Sequence, residues 1–381
     1  MGPAEFGVSP TTGFMPEQDP LPRLSDAFDA WEDAAISLPK LLVSDWVREI
    51  IRELPAFPLE ELTSEPSLER AMVLLSYLGH AYVWSGPDPA NRLPANLAVP
   101  WHAVASRLRR PPVLSYASYC LHNWRRIRAA RPVELGNIAL IQNFLAGEDE
   151  EWFVIVHADI EMRAALAVSR LIELQGAVSE RNEQRVCALL EDVASSIGRM
   201  NETMSRMTER CEPFIYFRRV RPYIHGWRDH PGLRGGVVYE GVAEYGGEPQ
   251  TFRGETGAQS AIVPSLDAVL AVSHGHDELR SYLMEMRRYM PPNHRAFVEH
   301  LEAGPNVREF VKEAGSNARG LYNDCVHGVE KFRSTHLQFA AKYIYEQASS
   351  DPKNPTDVGT GGTPFMPYLR KHRDETRQHR L

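Results

Sequence analysis

Residues 321–346, LYNDCVHGVEKFRSTHLQFAAKYIYE, decide the fold class. Val326, Val329, Phe332, Phe339, Ala340 and Tyr343 recur mostly at steps of three or four, which gives a helix one apolar face. His336 sits on that face, with Arg333 and Lys342 within two turns of it. A neutral imidazole on an apolar stripe can hold an iron porphyrin from one side. Lone histidines on buried helical faces also serve as ordinary core residues with a hydrogen-bond partner. The helix alone leaves both readings open.

Upstream, residues 152–175 repeat the pattern, with Phe153, Val156, Ile160, Ala164, Ala167, Val168 and Leu171 on one stripe and His157 among them. Two facing helices with one histidine each are one way a bundle holds a haem, and two satisfied core histidines are the alternative. Further helices are predicted over 67–83, 101–109, 113–128, 182–210, 265–273, 276–289, 293–303 and 305–315, with a short hairpin at 236–243. The architecture expected is mostly α: a large all-α domain with a smaller α lobe. Residues 1–23 hold five prolines and no period, so a flexible N-terminal tail is expected there. The small lobe is assigned to 24–143 and the large domain to 144–381, with the Gly/Pro-rich stretch 348–364 expected to act as a mobile lid.

Of the 381 residues 43% are hydrophobic and 24% charged, which suits a globular chain with a sizeable core. A net charge of −8 argues against nucleic acid or an anionic membrane as the main partner. The basic run Arg370, Lys371, His372, Arg373, Arg377 and Arg380 is short, mixed with Asp374 and Glu375, and reads as a solvated terminus. Cys120, Cys187, Cys211 and Cys325 form no CxxC pair, so neither a zinc module nor a disulfide framework is expected. With no CxxCH, any haem would be held non-covalently. The absence of an apolar leader or a membrane-length run leads to the expectation of a cytoplasmic protein.

HExxH, Walker A and GxSxG are absent, and GTGGT at 359–363 lacks the dinucleotide-binding spacing. His274-Gly275-His276 reads as a turn between helices. His157-Ala158-Asp159 would need an extended backbone to form part of an iron facial triad. In a helix residues two apart point roughly 200° apart, so Asp159 faces away from His157.

Several stretches in order then carry a resemblance over about 24–370: LPANLAVPWHAVASRLRRPPVLSYASYCLHNW at 93–124, RPYIHGW at 221–227, GGVVYEGV at 235–242, YLMEMRRYMPPNHRAF at 282–297, VREFV, RSTHLQFAAKYI and GTGGT. The chain resembles the indoleamine 2,3-dioxygenase family. The resemblance implies a small α lobe over a large all-α haem-binding domain, with haem b between them. It also implies insertion of both atoms of O2 across the indole C2–C3 bond of L-tryptophan or a close derivative, giving N-formylkynurenine, with an external electron donor and a monomer favoured. His336 falls at the proximal iron ligand, and Arg333, Asp267 and Lys342 match the polar group that steadies the haem and its helix, with Tyr119 beside the cofactor. Arg221 matches the substrate-carboxylate clamp. Tyr116, Phe153, Tyr216, Phe217 and Ile224 match the indole walls, and Thr256 and Thr360 match the loops over the amino-acid group.

The departures lie on the distal side. Animal members have serine where this chain has His157, and the related tryptophan 2,3-dioxygenases use a distal histidine near the indole N–H. Val154, Tyr119 and Cys120 also differ, and the loop usually GGSAGQSS reads GETGAQSA at 254–261, which brings in Glu255. An oxygenase acting on a substituted tryptophan or indole, and a non-catalytic haem-binding protein, are the alternatives.

Overall fold

The computed structural model describes residues 2–275, 278–347, 359–361 and 365–381. The fold is mostly α. Helix α1, Glu65–Trp84, starts where Ser64 Oγ accepts from the Ser67 amide, and it is buried for nearly its whole length. Helix α2, Ala95–Leu108, packs on it through Gly79, where a Cβ would stand 2.2 Å from the Trp101 ring.

Strand β1, Arg92–Leu93, pairs in parallel with β4, Val238–Tyr239, while β2, Trp124–Arg126, pairs antiparallel with β3, Ile138–Leu140. His80 bridges elements across the core: one ring nitrogen lies 2.7 Å from the Tyr223 carbonyl and the other accepts from the Leu114 amide at 3.0 Å.

The second half is built on α3, Glu148–Ser179, α4, Glu183–Ser205, and α7, Ser316–Ala340, with α4 packed against both of the others. Four acids open α3, where they complement the helix dipole. Glu150 turns back to accept from the Phe144 and Leu145 amides, each at 2.8 Å, which sets the entry angle of the chain. Small residues Ala164 and Ala167 let α4 come close, and Ser196 Oγ donates to the Arg163 carbonyl at 2.5 Å. Helix α5, Ile262–Val269, joins α3 to α6, Pro292–Glu302, and α8, Phe365–Gln378, lies along α7. Among the described residues no helix is long and apolar enough to cross a membrane.

Four expectations need correction. The segment before residue 24 is packed rather than loose: Phe6, Val8, Phe14 and Met15 are buried, and Phe6 and Phe14 meet Phe297 edge-on. These anchors follow no period, so periodicity misses them. The stretch 113–128 is a π-helical turn at Ala117–Leu121 followed by β2, not one helix. The segment 236–243 gives β4, whose partner lies far back in sequence at β1, not within a local hairpin. The basic terminus is partly buried, because His372 and Thr376 face α7 as part of α8. The expected lid over 348–364 lies outside the described residues except for 359–361.

Candidate active site

A cavity of about 760 Å³ opens between α3, α4, α5, α7 and the loop at 254–261, a size suited to a cofactor or a small-molecule ligand. Phe153, His157 and Ile160 line it from α3, Met200 and Met204 from α4, and Phe332, His336, Phe339 and Ala340 from α7. Tyr116, Tyr216 and Tyr343 enter at or within π-helical turns, whose wider pitch re-aims side chains. The turn at Tyr216–Val220 runs into Pro222, which has no amide to continue the α-helical ladder.

His336 presents open imidazole surface to this cavity and makes no hydrogen bond among the described residues. Burial, and to a lesser degree His157, push its pKa down to about 4, so it is a neutral ring with an available lone pair. His157 also lines the cavity. Its Nδ1 lies 2.7 Å from the Phe153 carbonyl, one turn back. That contact makes Nδ1 the N–H donor and leaves Nε2 as an acceptor. Burial lowers the pKa of this histidine as well. Phe153 stands 4.6 Å from both the His157 and Tyr216 rings, forming a continuous aromatic wall.

One turn before His336, Arg333 holds Asp267 of α5 through its two terminal guanidinium nitrogens, and also donates to Thr376 of α8. His274 lies 3.3 Å from Asp267 and 2.6 Å from Glu375. Burial opposes ionisation of Asp267, but Arg333 and His274 outweigh it and hold the carboxyl well below the usual range. The His274 turn is therefore part of an ion-pair network, while His276 lies outside the described residues.

The loop at 254–261 is held by backbone contact. A Cβ on Gly254 would stand 2.2 Å from the Gly226 amide nitrogen, and one on Gly226 would stand 2.0 Å from that of Gly254. The Glu255 amide donates to the Ile224 carbonyl at 3.2 Å, and Thr360 Oγ1 donates to the Glu255 carbonyl at 2.5 Å. Gln259 ties the Tyr116 amide to the Gly254 carbonyl, both at 2.9 Å. Burial drives the pKa of Glu255 up to about 8.

Of the residues singled out in the sequence, His336, His157, Tyr116, Phe153, Tyr216, Thr256, Thr360, Arg333 and Asp267 line the cavity. Phe217, Ile224, Arg221 and Tyr119 are wholly buried behind it, with the Arg221 guanidinium 5.5 Å from the Phe217 ring centre. Lys342 is exposed away from the cavity and makes no ion pair among the described residues. Asp159, the partner weighed in a facial triad, is engaged by Arg163 and Thr203 instead. Among the described residues no cluster of three histidine, cysteine or acidic side chains could hold a bare metal ion. The methionine wall and Tyr282 were missed, because their apolar spacing looks like ordinary core.

The residues fit a haem. The cavity is lined mostly by apolar and aromatic side chains, a neutral histidine with no hydrogen bond among the described residues faces into it, and a network of ion pairs backs that histidine's helix.

A family model described as indoleamine 2,3-dioxygenase matches residues 2–379. Indoleamine 2,3-dioxygenase 1 of Rattus norvegicus is 34% identical, over 98% of this chain and 94% of its own. The indoleamine 2,3-dioxygenase acdA of Aspergillus candidus is also 34% identical, over 97% and 95%. The Saccharomyces cerevisiae indoleamine 2,3-dioxygenase is 31% identical, over 98% and 92%.

Proposed function

Because the chain belongs to the indoleamine 2,3-dioxygenase family and is a dioxygenase, an oxidoreductase, we propose that it holds haem b on His336 and opens the indole ring of L-tryptophan or a close derivative, giving N-formylkynurenine. One observation carries this reading: a neutral His336, with no hydrogen bond among the described residues, looks into a mostly apolar cavity that His157 also lines.

When bound, haem b supplies the redox-active iron at which O2 becomes reactive toward the indole C2–C3 bond. His336 ligates it. The Arg333–Asp267 pair keeps the His336 helix in register with α5, and the contact of Arg333 with Thr376 ties it to α8. Phe153, Tyr216 and Tyr116 enclose the indole and exclude water, and His157 Nε2 accepts the indole N–H, which fixes the ring orientation. The resemblance assigns the substrate carboxylate to Arg221, a planar cation that is buried beside Phe217 and would have to turn toward the cavity to reach it. An external electron donor would be the redox partner.

His157 and Glu255 also favour a second reading, an oxygenase acting on a substituted tryptophan or indole. Mass analysis of the product from haem-loaded protein, reductant, O2 and L-tryptophan tests both. A gain of two oxygen atoms with ring opening is expected. A gain of one, or no turnover of L-tryptophan beside turnover of a substituted indole, would overturn the first reading.

A further inference from the structure

We propose that Glu255 is the counter-ion for the side-chain ammonium of the substrate, so that the site selects indoles bearing a protonated amine. The proposal rests on the indole-oxygenase reading above and names the group that sets its substrate class.

Every other buried acid among the described residues has at least one partner, although Glu161 Oε2 is left without a hydrogen bond there. Glu32 meets Arg70, Glu69 meets Arg110, Glu150 takes two backbone amides, Asp159 takes Arg163 and Thr203, and Glu161 takes Ser260 at 2.7 Å. Glu255 is 4% exposed and lines the cavity, and its carboxyl has no hydrogen bond or ion pair among the described residues. A buried carboxyl without a partner is costly, and it is tolerated where a ligand supplies the partner.

The carboxyl is also firmly presented. Both backbone polar groups of Glu255 are bonded, to Ile224 and Thr360, and the preceding glycine is wedged against Gly226. Tyr216, which lines the cavity beside Phe153, lies near both Arg221 and Glu255. The titratable groups that feel the carboxyl's charge are Tyr77, Tyr116, Tyr119, Cys120 and Tyr216, and His157, Arg280, Arg287 and Arg333 line the same cavity. Burial keeps the four tyrosines and the cysteine protonated and His157 neutral, and no arginine among the described residues pairs with the carboxyl. None of them offers the carboxyl a cation, so in the free protein it keeps its proton, and a ligand's ammonium is the partner that would ionise it.

Anaerobic calorimetry on the ferric, haem-loaded protein tests this with L-tryptophan, tryptamine and indole-3-propionate, comparing wild type with Glu255→Gln and Glu255→Asp. Glu255→Gln should weaken both amines by about ten-fold or more and leave indole-3-propionate within about two-fold, with Glu255→Asp partly restoring the amines. At pH 7 the free carboxyl is mostly protonated, so pairing with an ammonium releases a proton. Titrations in buffers of different ionisation heat should show that release in wild type and not in Glu255→Gln. Equal weakening of all three ligands, or no change in any, would overturn the proposal and leave the indole reading standing. Wild-type protein that loads haem but binds none of the three would overturn both.

Discussion

Arg333 closes a two-pronged ion pair on Asp267, with Nη1–Oδ1 at 3.0 Å and Nη2–Oδ2 at 2.5 Å, and the same guanidinium reaches Thr376. One side chain thereby ties the helix carrying His336 to α5 and to the C-terminal helix. Leaving one partner of a buried pair uncompensated costs more than the pair itself contributes.

Asp267→Asn should therefore destabilise the protein by about 3–5 kcal/mol in urea denaturation. The folded-state pKa of Asp267 lies below its unfolded value of about 3.9, so its contribution is fully present above that value and is lost as pH falls further. The wild type should lose stability through that acid range more steeply than Asp267→Asn. Parallel curves for the two proteins would refute the role.

His336→Ala removes a side chain with no hydrogen bond among the described residues, so the fold should survive while stable haem loading fails. Circular dichroism should be unchanged and the Soret band absent, returning with added imidazole. A normal haem spectrum without imidazole would show that His336 is not the ligand.

His157→Ala should lower kcat/KM for L-tryptophan by about ten-fold, the worth of roughly one hydrogen bond. The 1-methyl analogue has no indole N–H to donate and should lose much less. An equal loss for both would remove the N–H acceptor role.

Glu255 should trade stability for its position. Its folded-state pKa of about 8 lies above the unfolded carboxylate value, so the wild type loses stability as pH rises from about 4 to 8. Glu255→Gln has no such proton to lose. In the absence of substrate it should match wild type near pH 4.5 and exceed it at pH 8, by about 1–3 kcal/mol. Thermal melts across that range would check the crossover, and a variant less stable at pH 8 would contradict it.

Helix existence and the apolar stripes of α3 and α7 were legible along the chain, because a helical period writes burial directly into spacing. His157 and His336 could be picked out for the same reason, each as a polar residue on an apolar stripe. The packed N-terminal anchors and the β1–β4 pairing were not legible. They depend on partners far away in sequence and leave no local period. The π-helical turns were hidden too, since the apolar residues around Tyr116 and Tyr216 fit an ordinary helix equally well.

The amino-acid sequence by itself determined the helical class and, through motifs in order, the family resemblance and its candidate residues. Tertiary structure decided which of those residues meet at one cavity. It brought His336, His157, Tyr116 and Thr360 together there, put Arg221 and Tyr119 behind the wall, and left Lys342 outside. It alone distinguished the carboxyl of Glu255 from the buried acids that have partners. Spacing along a chain encodes which face a residue occupies, but whether a charge is paired is a property of neighbours that only folding assembles.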